Sequence, residues 1–270
     1  MPRDRVAAAF QRARQEGRPA LVLFLTVGYP SVADTLELVP ALVAAGADAV
    51  ELGVPFSDPL ADGPVIQEAS FHALRQGVTP QTCLEVVAEV RRRGVQAPLV
   101  LMGYYNPILA YGLEAWARDL HAAGGDGAIV ADLPPDEAGP LREALAARGL
   151  HLVPLLAPTS TDVRLARACR DASGFIYCVS LTGVTGARDE LPSGVPELVG
   201  RVRHHTALPV AVGFGISRRR HVEAVGRFAD GAVVGSALVR AVGQAPPAER
   251  VRRAQALVAE LRGAAPVAGN

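Results

Sequence analysis

Lysine is absent from this 270-residue chain, in which all 27 basic residues are arginine. That omission removes the amine of a Schiff-base enzyme and the lysine of a P-loop phosphate site. Coding bias explains it, since Ala, Gly, Val and Arg abound, but the chemical exclusion stands whatever the cause. An excess of charge of one sign is lacking too, because 27 acidic residues bring the formal net charge to zero. Such a balance gives no broad field to recruit nucleic acid or anionic lipid, so small or neutral partners are expected. Apolar runs stay well short of the ~20 residues of a membrane span. The N-terminal stretch "MPRDRVAAAFQRARQEGRPA" has no apolar core of a secretion signal, and a cytoplasmic protein is expected. Cys83, Cys169 and Cys178 are far apart and odd in number, which suits reduced thiols. No metal-ligand spacing occurs among them.

What is present is an apolar half, 50% hydrophobic against 20% charged, enough for one large core. Short β-rich runs alternate with segments of helical period, and Gly, Pro, Ser or Asp marks nearly every junction. The strand candidates begin at Ala20, Ala49, Pro98, Gly127, His151, Gly174, Leu208 and Asp230. Helix starts are expected at Ser31 with Asp34, at Asp136 after Pro134 and Pro135, at Ser160 and Thr161, and at Ser217. In "LEAWARDLHAAGG", Leu113, Trp116, Leu120 and Ala123 form one apolar stripe closed by Gly124 and Gly125. Pro40, inside "DTLELVPALVAAG", implies a kink or a short break.

Strands this continuously apolar belong to a parallel sheet covered by helices, either a barrel or an open doubly wound sheet. About eight strands in this length favour an α/β fold of the (β/α)8 TIM-barrel type with an extra N-terminal helix. A single domain spans 1–270, with the helix over about 2–16, the barrel over about 19–262 and a tail over 263–270. Two Gly-rich turns, "GFGIS" and "VGSA", each lead from one of the last two strands into a helix start, where backbone amides can hold a phosphate. Close packing is the plain alternative for either turn alone.

In such a barrel the chemistry sits at the C-terminal ends of the strands. Histidine is scarce there: His72, His121, His204, His205 and His221 fall on helices or linkers as solvated surface imidazoles, and His151 starts its strand. A His-ligated metal is not expected. Ser57, Ser180 and Ser236 near the rim have no evident base among the histidines. Carboxylates remain. Glu51, between Val50 and Leu52, occupies a position where an ionised group costs several kcal/mol unless it is paired or functional. Burial there would raise its pKa toward that of a useful general acid or base. Asp58 and Asp62 lie in "SDP" and "ADGP", which are also ordinary turn chemistry. Asp132 is expected to cap the next turn. Phe24, Met102, Tyr104, Ile129, Leu155, Tyr177 and Phe214 gather near strand ends and suit a flat aromatic ligand, although most would be core in any fold. "SLTGVTGARDELPSG", from Ser180, reads as a loop able to close over the site, or as an idle surface loop.

"ELGVPFSDPLADGPVIQ", followed in order by "GVTGAR", "VGFGIS" and "GSALV", resembles the tryptophan synthase alpha chain family over essentially the whole length. The resemblance implies a lyase of L-tryptophan biosynthesis that cleaves indole-3-glycerol phosphate to indole and D-glyceraldehyde 3-phosphate. It casts Glu51 as general acid/base and Asp62 as the carboxylate that accepts the indole N–H. Gly186, Gly215, Gly235 and Ser236 are then expected to hold the phosphate. Phe24, Tyr104, Ile129, Leu155, Tyr177, Thr185 and Phe214 would surround the indole and glycerol. Pro55, Asp58, Pro59 and Asn106 would meet a tryptophan synthase beta chain in a complex of two alpha and two beta chains. No metal or cofactor is expected in this chain, and pyridoxal phosphate only in the partner beta chain. A phosphosugar isomerase or epimerase on the same barrel, and a catalytically silent subunit that activates a beta chain, are the alternatives.

Overall fold

The computed structural model describes residues 4–179, 194–213 and 215–263. Among them no helix is long and apolar enough to cross a membrane. The strands are β1 (Ala20–Thr26), β2 (Ala49–Gly53), β3 (Leu99–Gly103), β4 (Gly127–Val130), β5 (His151–Val153), β6 (Leu155–Leu156), β7 (Ile176–Val179), β8 (Val210–Gly213) and β9 (Gly231–Val234). All pairings are parallel, in the order β5-β4-β3-β2-β1-β9-β8-β7-β6.

The two ends of that order are consecutive in sequence, which closes the sheet. The strand expected from His151 arrives as β5 on β4 and β6 on β7, split at Pro154. Proline has no N–H for the ladder. Its carbonyl still accepts from Tyr177 N at 3.1 Å, so the eighth seam holds.

Side chains alternate along each strand and build two cores. Leu21, Leu23, Leu25, Val50, Leu52, Leu99 and Leu101 face outward to the helices. Ala20, Val22, Ala49, Val100, Ile129, Val153, Phe175, Tyr177, Ala211 and Val233 fill the barrel. Helix α1 (Arg5–Gln15), capped by Asp4, plugs the lower end with Val6, Phe10 and Ala13. Phe10 stacks 5.3 Å from Phe175, and Gly231 leaves room for it, since a Cβ there would lie 2.9 Å from the Phe10 ring.

The helices that follow are α2 (Val32–Ala44), α3 (Pro64–Arg75), α4 (Pro80–Arg92), α5 (Tyr105–Tyr111), α6 (Leu113–Ala123), α7 (Gly139–Ala146), α8 (Asp162–Asp171), α9 (Val195–Arg203), α10 (Arg219–Val225), α11 (Ser236–Gly243) and α12 (Arg250–Arg262). Ser31 and Thr161 cap as expected, and α6 buries Trp116, Leu120 and Ala123 before Gly124 turns left-handed. Pro40 does not break α2. It deprives the Leu36 carbonyl of its helical donor, and Arg93 Nη1 from the end of α4 donates to that carbonyl at 3.0 Å.

Two starts differ from expectation. Helix α7 begins at Gly139 because Pro134 to Glu137 close a separate turn and Asp136 pairs with Arg167 instead of capping. Helix α10 begins at Arg219, after Ser217 has given its N–H to His221 Nδ1 at 3.3 Å. His221 is therefore buried, not a surface imidazole. Asp132 caps backward: its carboxylate accepts from Tyr105 N at 2.8 Å at the start of α5.

A device repeats at the barrel floor, where Asp48, Asp126 and Asp230 immediately precede β2, β4 and β9. Each carboxylate accepts a backbone N–H from the neighbouring strand, Leu21, Leu99 and Val210 respectively, at 2.7, 2.8 and 2.8 Å. The aspartate N–H groups donate back to the carbonyls of those same residues. Arginines pair with all three carboxylates, of which Asp48 and Asp126 are buried: Arg18 and Arg262 on Asp48, Arg5 and Arg91 on Asp126, Arg203 on Asp230. Asp48→Ala removes the carboxylate that two partly buried arginines and a strand amide share, so it is expected to cost about 3 kcal/mol. The reading is a lower urea midpoint with an unchanged slope.

Candidate active site

On β2 the alternation that turns Val50 and Leu52 outward turns Glu51 into the barrel, between Phe24 of β1 and Val100 of β3 in register. Glu51 is 1% exposed, and neither carboxyl oxygen meets a hydrogen-bond partner among the described residues. Burial pushes its pKa up to about 8, so it is mostly protonated at neutral pH.

Glycines at strand ends clear space for two aromatic rings above it. A Cβ on Gly53 would lie 2.5 Å from Phe24 Cζ, and one on Gly213 would lie 2.2 Å from the Tyr177 hydroxyl. The buried phenol of Tyr177 is held well above its usual pKa, first by burial and then by the charges of Glu51 and Asp62. All three groups thus share one electrostatic environment.

Asp62 belongs to the loop between β2 and α3 and is half-buried. Tyr104, at the end of β3, donates to Asp62 Oδ2 at 3.0 Å and accepts from Ala61 N at 3.0 Å. Burial raises the Asp62 pKa to about 6, against the lowering effect of the Tyr104 hydrogen bond. Gln67 on α3 straps the same loop, its amide donating to the Asp62 carbonyl at 2.8 Å and the Pro59 carbonyl at 3.3 Å.

Beyond β8, Gly215 has φ +72° with open space where a side chain would stand. Gly235 and Ser236 open α11 without a side-chain cap, which leaves its first amides available to an anion. A Cβ on Gly235 would touch Phe24 at 3.5 Å, so this anion-ready end adjoins the aromatic wall. An acid, a second carboxylate, flat walls and an anion end fit a phosphorylated aromatic compound.

The family model described as tryptophan synthase alpha chain matches residues 10–266. The chain belongs to the tryptophan synthase alpha chain family. It is 56% identical to the tryptophan synthase alpha chain of Roseiflexus sp. (strain RS-1), over 96% of this chain and 100% of the relative. It is 46% identical to tryptophan synthase of Saccharomyces cerevisiae, over 92% of this chain but 35% of that longer protein. Among solved structures, tryptophan synthase from M. tuberculosis in an aminoacrylate-bound form matches with a TM-score of 0.85 and 40% identity, covering 96% and 98% of the two chains. The tryptophan synthase alpha chain from Legionella pneumophila gives 0.88 at 33% identity, with 97% of each chain covered.

Against the family's expected site, the structure brings Glu51, Asp62, Phe24, Tyr104 and Tyr177 to one end of the barrel. Ile129 is fully enclosed in the barrel interior, and Leu155 packs half-buried against it. Thr185, Gly186 and Phe214, with the loop from Ser180, lie outside the described residues. Of the residues expected to meet a beta chain, Asp58 and Asn106 are exposed, while Pro55 and Pro59 are buried. Sequence reasoning overlooked Gln67, whose role is a contact to backbone carbonyls, and Leu60, which is 92% exposed beside Pro59. A leucine in a turn gave no signal of its exposure. Phe56 was overlooked too, although its ring stacks 5.0 Å from Tyr104.

A carboxyl whose pKa is higher folded than unfolded binds its proton more tightly in the native state, so its stabilising effect is present below the unfolded pKa and lost as pH rises. For Glu51 that window runs from 4.5 to about 8. Glu51→Gln should therefore match the wild type in stability near pH 4.5 and exceed it at pH 9. Chemical denaturation at both pH values reads the difference directly.

Proposed function

We propose that this chain cleaves indole-3-glycerol phosphate to indole and D-glyceraldehyde 3-phosphate, with Glu51 and Asp62 in complementary protonation states. The carrying observation is the unpartnered, buried carboxyl of Glu51 beside a better-solvated Asp62 whose pKa is lower. Paired titratable groups pushed apart in this way divide acid and base duties between them.

Neutral Glu51 donates its proton to indole C3, which breaks the aromaticity of the ring and places positive charge on the ring nitrogen. Ionised Asp62 accepts the indole N–H and stabilises that charge. Cleavage of the bond between C3 and the glycerol carbon returns the electron pair to the ring. The hydroxyl on that carbon becomes the aldehyde and passes its proton to the Glu51 carboxylate, which ends the cycle neutral. Net, one proton moves from oxygen to carbon and no co-reactant is consumed. With no lysine in the chain, a Schiff base on a lysine side chain has no place in the step.

The phosphate fits the Gly215 turn and the start of α11 at Gly235 and Ser236, with Gly186 and Thr185 contributed by the segment after β7. Phe24, Tyr177, Ile129, Leu155 and Phe214 are the proposed walls. The exposed positions Asp58 and Asn106, with Pro55 and Pro59 beneath them, are proposed to meet a tryptophan synthase beta chain in an assembly of two alpha and two beta chains. Leu60 adds apolar surface there. The proposal places pyridoxal phosphate in the beta chain and no cofactor in this one.

Two outcomes check the chemistry. Glu51→Gln should lower the turnover of indole-3-glycerol phosphate by at least about a hundredfold while leaving beta-chain binding intact; near-normal indole release would sink the assignment. The wild-type kcat/KM should be bell-shaped, falling below about pH 6 as Asp62 is protonated and above about pH 8 as Glu51 ionises. A flat profile across that range would contradict the pairing.

A further inference from the structure

The hydrogen bonds around Tyr104 have a fixed polarity. The Ala61 N–H, 3.0 Å from the phenol oxygen, can only donate, so it occupies an acceptor position of Tyr104. The phenol has a single proton to give, and Asp62 Oδ2 stands 3.0 Å away. The ring itself cannot swing to another partner. It is 6% exposed, stacked on Phe56 at 5.0 Å, and anchored where β3 meets α5.

We propose that Tyr104 is a positioning residue for the reaction, its phenol pinned by the Ala61 N–H so that its proton holds Asp62 Oδ2 and leaves Oδ1 to receive the substrate N–H. This inference rests on the role given to Asp62 above and goes beyond the placement of Tyr104 as a wall of the pocket. A side chain on a rigid strand end thereby transmits the geometry of the barrel to a carboxylate carried on a loop. Gln67 secures the backbone of that loop through the Asp62 and Pro59 carbonyls and leaves the carboxylate to Tyr104.

The bond also acts on ionisation. A donor to a carboxylate favours its charged form, and Tyr104 is the group that opposes the burial of Asp62. The other titratable groups that share the field are Tyr177 on β7 and Glu51 on β2, with Asp132 after β4 acting on Tyr104. None of these supplies Asp62 with a cation. Among the described residues the phenol is the hydrogen-bond donor to the Asp62 carboxylate.

The test measures kcat/KM for indole release across pH, using the full chain mixed with saturating beta chain, for wild type, Tyr104→Phe and Asp62→Asn. Loss of the donor in Tyr104→Phe should move the acidic limb upward by about one pH unit, leaving the alkaline limb in place. Freeing the carboxylate should lower the plateau at pH 8, and the shifted limb should lower activity about a further fivefold at pH 6. Replacement of Tyr104 by a difluorinated tyrosine, a stronger donor of the same shape, should move the acidic limb downward and serves if the phenylalanine variant folds poorly. An equal loss at every pH, or no movement of the limb with either replacement, overturns the proposal. Asp62→Asn separates the two levels of argument. If it is inactive while the limb stays fixed in the Tyr104 variants, only the positioning role fails; if it is fully active, the role of Asp62 itself fails.

Discussion

Desolvation of the Glu51 carboxyl governs the upper half of this barrel. An ionised group in that position would cost several kcal/mol, and the described surroundings give it neither a cation nor a hydrogen bond. The protein meets that cost by keeping the group protonated around neutral pH, the state in which it can deliver a proton. The apolar neighbours in register on β1 and β3, Phe24 and Val100, contribute to that desolvation. Substituting any of them with a polar donor would stabilise the carboxylate and weaken the acid.

The lower half of the barrel handles charge in the opposite way. Asp48, Asp126 and Asp230 are held by arginines and by strand amides, and these hydrogen bonds lock the register of neighbouring strands. Rigidity supplied at the floor and by the α1 plug leaves the strand ends free to carry glycines and loops. Gly53 and Gly213 contribute no packing of their own, yet they admit Phe24 and Tyr177 over the site. An ion-paired carboxylate and an unpartnered carboxyl are thus separated by a few residues at β2, Asp48 and Glu51.

Much of this was legible in the sequence because it follows from period-two alternation. A lone glutamate among apolar neighbours on a strand pointed to a buried carboxyl with a raised pKa, and the strand count pointed to a barrel. Contacts that cross the chain were not legible. Tyr104 reaches Asp62 over 42 residues, and Arg93 relieves Pro40 from another helix, so neither spacing carries a signal. Pro154 was visible, but only closure of the sheet shows that it divides one strand between two neighbours. Asp136 failed as a helix start because a longer-range partner, Arg167, took its carboxylate. Local rules therefore hold until a tertiary contact offers a group something better.

The central claim is that burial holds the Glu51 carboxyl neutral at the pH of catalysis. Its direct measurement is a titration of that one group, by carbon-detected NMR of the labelled carboxyl in the ligand-free chain, assigned by its absence in Glu51→Gln. The account predicts a midpoint near pH 8. A midpoint at the ordinary carboxyl value of 4.5 would contradict it.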